Sequence, residues 1–148
     1  MTNMVSIITA IHLAALSQVE SGDQDDAVGQ AGEVSRYQFL PATMLHEQAI
    51  NPDFRRMQVR GKWWLNEKWA WICAVGIWEK RVDTFRVVYR RDPSLEELYL
   101  CWHRPGRVLN PTAAEKARAE RFANLVNEKA HPQPGAAVVE RRKDNQNE

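Results

Sequence analysis

The sequence predicts a mainly α-helical domain arranged around one tryptophan-rich helix. Three observations carry the prediction. Apolar residues recur at helical spacing along most of the chain, with no convincing run of period-two alternation. Two capping boxes, Ser94-x-x-Glu97 and Thr112-x-x-Glu115, mark helix starts. Residues 63–82 hold five of the six tryptophans, Trp63, Trp64, Trp69, Trp71 and Trp78. There, Trp69, Ile72 and Gly76 form one helical stripe, and Trp71, Val75, Trp78 and Val82 form another. A helix that is apolar on several faces belongs in the interior.

The elements follow in order. Residues 1–19 read as helix one, with Ile8, Ile11, Leu13, Leu16 and Val19 at roughly helical spacing; His12 among them reads as a partly buried, hydrogen-bonded histidine. Ser21-Gly22 stops this helix, glycine being the usual residue just past a helix end. Residues 21–34 form a polar loop with Asp23, Asp25 and Asp26, and residues 35–40 a short extended segment. Pro41 suits the first turn of a helix over residues 41–48, which Asn51-Pro52-Asp53 breaks. Arg55, Arg56, Arg60 and Lys62 follow with few acids, as on a solvated face. Asn66 caps the central helix, with Glu67 in its first turn. Trp63 or Trp64, lying before that helix, is the ring expected to face a ligand. Residues 83–91 read as a short helical or irregular link ending in basic residues. The helix from Ser94 buries Leu95, Leu98, Tyr99 and Trp102 and stops at Pro105-Gly106. The last helix, from Thr112 to about Lys129, buries Ala119, Phe122, Ala123 and Val126. Residues 1–130 thus form one domain, and residues 131–148, Pro-rich and then polar, a flexible tail.

Composition narrows the function. Of 148 residues, 44% are hydrophobic and 26% charged, as in an ordinary globular domain. A net charge of +1 gives no support for capture of nucleic acid or an anionic membrane. Cys73 and Cys101 read as buried free thiols. Cys101 with His103 lacks a second pair at metal-ligand spacing, so no metal site is expected. The N-terminal apolar run has no basic residue before it and is too short and interrupted to span a bilayer. It reads as a structural helix rather than a signal peptide.

The chemistry centres on Glu20. A carboxylate at a helix C-terminus meets the negative end of the helix dipole, and apolar neighbours desolvate it. Both effects favour the protonated form, which can serve as a general acid. One of the loop aspartates, Asp25 or Asp26, is the candidate to hold a water opposite it. Beyond Glu20-Ser21 come Gly29 and Gly32 in the loop, then Ser35-Arg36-Tyr37-Gln38-Phe39 and Pro41-Ala42-Thr43. This order resembles the lytic transglycosylase and goose-type lysozyme group of the lysozyme superfamily. That group has a helix ending in Glu-Ser, a glycine-containing loop, a Gly-x-x-Gln segment leading to Pro-x-Thr, and a late Tyr-Asn-x-Gly-Pro segment. Ser35 stands where the group more often has glycine. Trp102-His103-Arg104-Pro105-Gly106 stands in the place of the late segment, with His103 for its asparagine. The resemblance runs from about Ile7 to Val126.

The resemblance implies a lysozyme-like fold and cleavage of the β-1,4 bond between N-acetylmuramic acid and N-acetylglucosamine in peptidoglycan. It implies Glu20 as the single acid/base, with the substrate's N-acetyl oxygen assisting, and no metal or organic cofactor. Ser35 and Gln38 are then expected to offer polar groups to the sugar. Tyr37 and Trp102 are expected to wall the cleft, and His103 to stand near Glu20. Peptidoglycan strands are the implied partner, in the periplasm or cell wall. Either export by another route or a leader already removed is then expected, and a protein partner for export or assembly is a candidate. A hydrolase of the same bond, a non-catalytic glycan-binding or assembly module on the same fold, and a small helical interaction protein are the alternatives. An open groove lined by Glu20 discriminates against the non-catalytic module, scattering of Glu20, Gln38 and Trp102 in space marks the interaction protein, and the released products separate the hydrolase.

Overall fold

The computed structural model describes residues 6–132. The start of the expected first helix (1–5) and most of the expected tail (133–148) lie outside the described residues. Within them the chain is mainly α-helical: α1 (Ala10–Ser21), α2 (Pro41–Ile50), α3 (Pro52–Met57), α4 (Glu67–Tyr89), α5 (Leu95–His103) and α6 (Ala113–Ala130). Short 3-10 turns occupy Trp63–Leu65 and Pro105–Arg107. Extended pairing among the described residues is confined to two isolated bridges, Val28 with Val34 and Val34 with Phe39. The expected extended segment at 35–40 is therefore mostly turn.

Helix α1 starts later than the periodicity predicted. Thr9 is extended, and its backbone N–H donates to His12 Nδ1 at 3.0 Å. His12 thus does what the acidic residue of a capping box does, and residues 6–9 stay outside the helix. Asn66 caps α4 as expected, its side chain accepting from Trp69 N–H. Ser94 and Thr112 close their capping boxes on Glu97 and Glu115. Residues 83–89 are not a separate link: they continue α4, because Val82 and Phe85 extend its buried stripe and Asp83 pairs with Arg86 one turn on. Two of the basic residues at this end, Arg86 and Arg91, are matched by acids. Arg86 meets Asp92 at 2.6 Å, and Arg91 holds both Glu97 oxygens at 2.7 Å.

The core gathers around Trp78 on α4. Its ring meets Trp102 of α5, Phe122 of α6 and His12 of α1. Its indole N–H donates to Leu98 O at 2.8 Å, so this fully buried ring leaves no polar atom unpaired. Cys73 and Cys101 are buried and free. Burial pushes both thiols up, Cys101 to about 12. Trp63, expected to face a ligand, is instead buried against Phe54 and Phe39. Trp64 packs on Trp63. Among the described residues no helix is long and apolar enough to cross a membrane.

Candidate active site

An open cavity of about 800 Å³ lies where the end of α1, the loop after it, α4, and the α5–α6 connection meet; Glu20, Gln38, Trp102 and His103 all line it. Residues distant in sequence therefore converge on one groove, and the local folding of each segment explains how.

Glu20 is fixed by the end of α1. Gly22 takes a left-handed conformation (φ 64°), and its N–H caps the helix on Gln18 O, so the chain turns sharply just past Glu20. Ser21 donates to Arg36 O at 2.8 Å and accepts from Gln24 N–H at 3.1 Å. That hydroxyl ties the helix end to the turn that carries Gln38, which accounts physically for a serine following the glutamate. The Glu20 side chain is only 6% exposed. Its Oε1 accepts from the Tyr99 hydroxyl at 2.7 Å, while Oε2 makes no hydrogen bond among the described residues. Burial, together with the neighbouring Glu20 carboxylate, pushes the Tyr99 phenol well up, so it remains a donor. His103 stacks on Tyr99, ring centroids 5.4 Å apart, and brings Nδ1 to 3.6 Å from Glu20 Oε1. That is beyond hydrogen-bond length.

Gln38 lines the cavity, but its amide is committed to the loop. Nε2 donates to Ser35 O at 2.9 Å and to Ala27 O at 3.3 Å. Gln38 therefore positions the loop rather than presenting donors to a sugar. Gly29 is required there for space, because a Cβ would stand 2.6 Å from Gln38 Oε1 and 2.3 Å from Glu33 Oε2. Trp102 closes the floor, mostly buried against Phe39 and Trp78.

Ser35 and Tyr37 do not reach the cavity. Ser35 is fully buried in the left-handed region (φ 75°), where glycine is favoured, and its hydroxyl has no partner. Tyr37 is 3% exposed, packed against Phe39, with its phenol pushed up to about 12 by burial. Both support the turn that holds Gln38, and neither offers a group to a ligand. Two of the loop aspartates are likewise occupied. Asp23 accepts from Ser17 at 2.6 Å, Asp25 pairs with Arg36 at 2.7 Å, and neither they nor Asp26 line the cavity.

The second carboxylate in the cavity is Glu33, which sequence reasoning passed over. Its Oε2 accepts from Ala31 N–H at 2.9 Å. The available signal was an acid lodged between a glycine and the Gln38 turn. Tyr99 was also missed, read only as part of a buried stripe, although it stands one helical turn before His103 on the same face. Compared with family models, with curated proteins and with solved structures, the chain matches none.

Proposed function

We propose that the chain cleaves the glycan strands of peptidoglycan at the bond between N-acetylmuramic acid and N-acetylglucosamine. One observation carries this reading: Glu20, held at Oε1 by Tyr99 and with Oε2 unpaired among the described residues, lines an open cavity that it shares with Gln38, Trp102 and His103. A general acid needs such an arrangement, with one oxygen oriented by a fixed donor and the other facing the leaving group. Glu20 gives its proton to the glycosidic oxygen as the C1–O bond breaks, and the substrate's N-acetyl oxygen closes on C1. The Glu20 carboxylate then takes the proton of the muramoyl 6-hydroxyl, whose oxygen displaces the acetyl oxygen and leaves a 1,6-anhydro end. Substrate assistance of this kind needs no second carboxylate. The reading places the activity in the periplasm or cell wall, where the substrate lies.

The test is lysis of purified cell walls by the chain and by Glu20→Gln. General acid catalysis is worth roughly 10²–10⁴-fold, so the variant is expected to lose at least about a hundredfold while keeping its circular dichroism spectrum. Equal turnover by the two proteins removes Glu20 from the mechanism.

Glu33 favours a second reading, hydrolysis of the same bond. A carboxylate on the cavity wall can take a proton from water as that water attacks C1. Mass spectrometry of released muropeptides separates the two. Transglycosylation gives anhydro species that survive Glu33→Gln; hydrolysis gives products heavier by one water, which Glu33→Gln suppresses.

A further inference from the structure

Four arginines reach the cavity that holds Glu20: Arg81 from α4, Arg104 and Arg107 from the turn after α5, and Arg118 from α6. Two carboxylates, Glu20 and Glu33, share the wall with them. Four guanidinium groups against two carboxylates leave the lining with an excess of positive charge, in a chain that carries only +1 overall. A cleft in which one sign of charge predominates attracts ligands of the other sign.

The four are not equivalent. Arg81 is occupied: it donates to Trp102 O and lies 5.6 Å from the centroid of the Trp102 ring. Arg104 Nε sits 3.4 Å from Glu115 Oε1. Arg118 approaches the Tyr99 hydroxyl, which itself bonds Glu20. The Arg107 and Arg118 guanidinium groups are in no ion pair among the described residues, and both side chains are exposed. Arg107 acts on Glu115 only from beyond ion-pair distance, so two guanidinium groups outside any ion pair line the cavity, one of them beside the residue that orients the acid.

We propose that Arg107 and Arg118 form a carboxylate subsite that reads the acidic substituent of the glycan next to the bond cleaved. The inference rests on the peptidoglycan reading and sharpens it. A β-1,4 chain of N-acetylated sugars is uncharged, so it gives these arginines nothing to bind. The muramic acid unit supplies carboxylates in two ways: the lactyl group itself when unsubstituted, or the peptide stem attached to it. Guanidinium and carboxylate match in a bidentate fork that an ammonium cannot reproduce.

Binding to the Glu20→Gln protein tests the subsite without turnover, with quenching of tryptophan fluorescence as the readout because Trp102 lies in the wall. Three ligands are compared: strands bearing peptide stems, strands stripped by an amidase so that the lactyl carboxylate is free, and chito-oligosaccharides of equal length. At least one acidic ligand is expected to bind about tenfold tighter than the neutral one, equivalent to about 1.4 kcal/mol. Arg107→Gln, and separately Arg118→Gln, is expected to erase most of that preference while leaving chito-oligosaccharide affinity in place; Arg107→Lys restores it only in part. Whichever acidic strand loses affinity identifies the carboxylate read. Equal affinity for all three ligands, or equal loss for the neutral one, overturns the subsite, and the peptidoglycan reading stands if wild-type protein still lyses walls. Absence of binding to every ligand, with no lysis, overturns both.

Discussion

Ser35 holds a left-handed backbone with a side chain, and it buries a hydroxyl with no partner. Each feature is costly: a non-glycine residue in that region is strained, and an unmet buried hydroxyl forfeits its hydration. Only the Ser35 backbone carbonyl contributes, accepting from Gln38 N–H and Nε2, and glycine preserves it. Ser35→Gly is therefore expected to stabilise the fold by about 1 kcal/mol after allowing for the greater freedom of glycine in the unfolded chain. Chemical denaturation checks this; an unchanged or lower midpoint at constant slope refutes it. The same residue shows why single positions were hard to read. Its place in the motif was visible, but a serine at a glycine position looked like a donor for the sugar. Only the backbone angle and the burial reveal it as strain beneath the site.

At the level of elements, the legible parts were those written in local chemistry. The caps at Asn66, Ser94 and Thr112 and the stop at Gly22 depend on residues within one turn of each other. They appear where expected. What escaped was packing between helices. Gly76, counted as part of an apolar stripe, makes room on α4 for Glu47 of α2. A Cβ there would stand 2.1 Å from Glu47 Oε1 and 2.9 Å from its Cδ. Glu47 is 2% exposed and is held by Lys80 and by Asn51 Nδ2 at 2.9 Å. It cannot retreat without breaking a buried, paired charge. Gly76→Ala is expected to destabilise by roughly 1–3 kcal/mol, despite the better helix propensity of alanine. Thermal melting decides it: a raised melting temperature means that propensity outweighs the crowding.

The whole molecule is organised by contacts across long sequence separations. Tyr99 stands 79 residues from the Glu20 it orients, and the arginines of the groove come from three regions of the chain. Periodicity reports which face of a helix is buried, not which neighbour it meets, so the groove was anticipated only through Glu20, Gln38, Trp102 and His103. His12 links the same distant parts. Its ring lies between Trp78 of α4 and Phe122 of α6, and its Nδ1 caps α1 through Thr9 N–H. An acceptor at Nδ1 must be unprotonated, and burial holds the folded-state pKa of His12 below 6.5. Between that lowered value and 6.5 the unfolded chain binds more protons than the folded one. His12 therefore makes stability rise with pH through this window and fall as pH drops below 6.5. His12→Gln keeps an N3 side chain able to serve a capping box and removes the titration. The stability difference between wild type and His12→Gln, measured by denaturant unfolding, is expected to shift against the wild type as pH falls from 7 toward 5. A difference that stays constant across that range shows that His12 does not couple protonation to the packing of α1, α4 and α6.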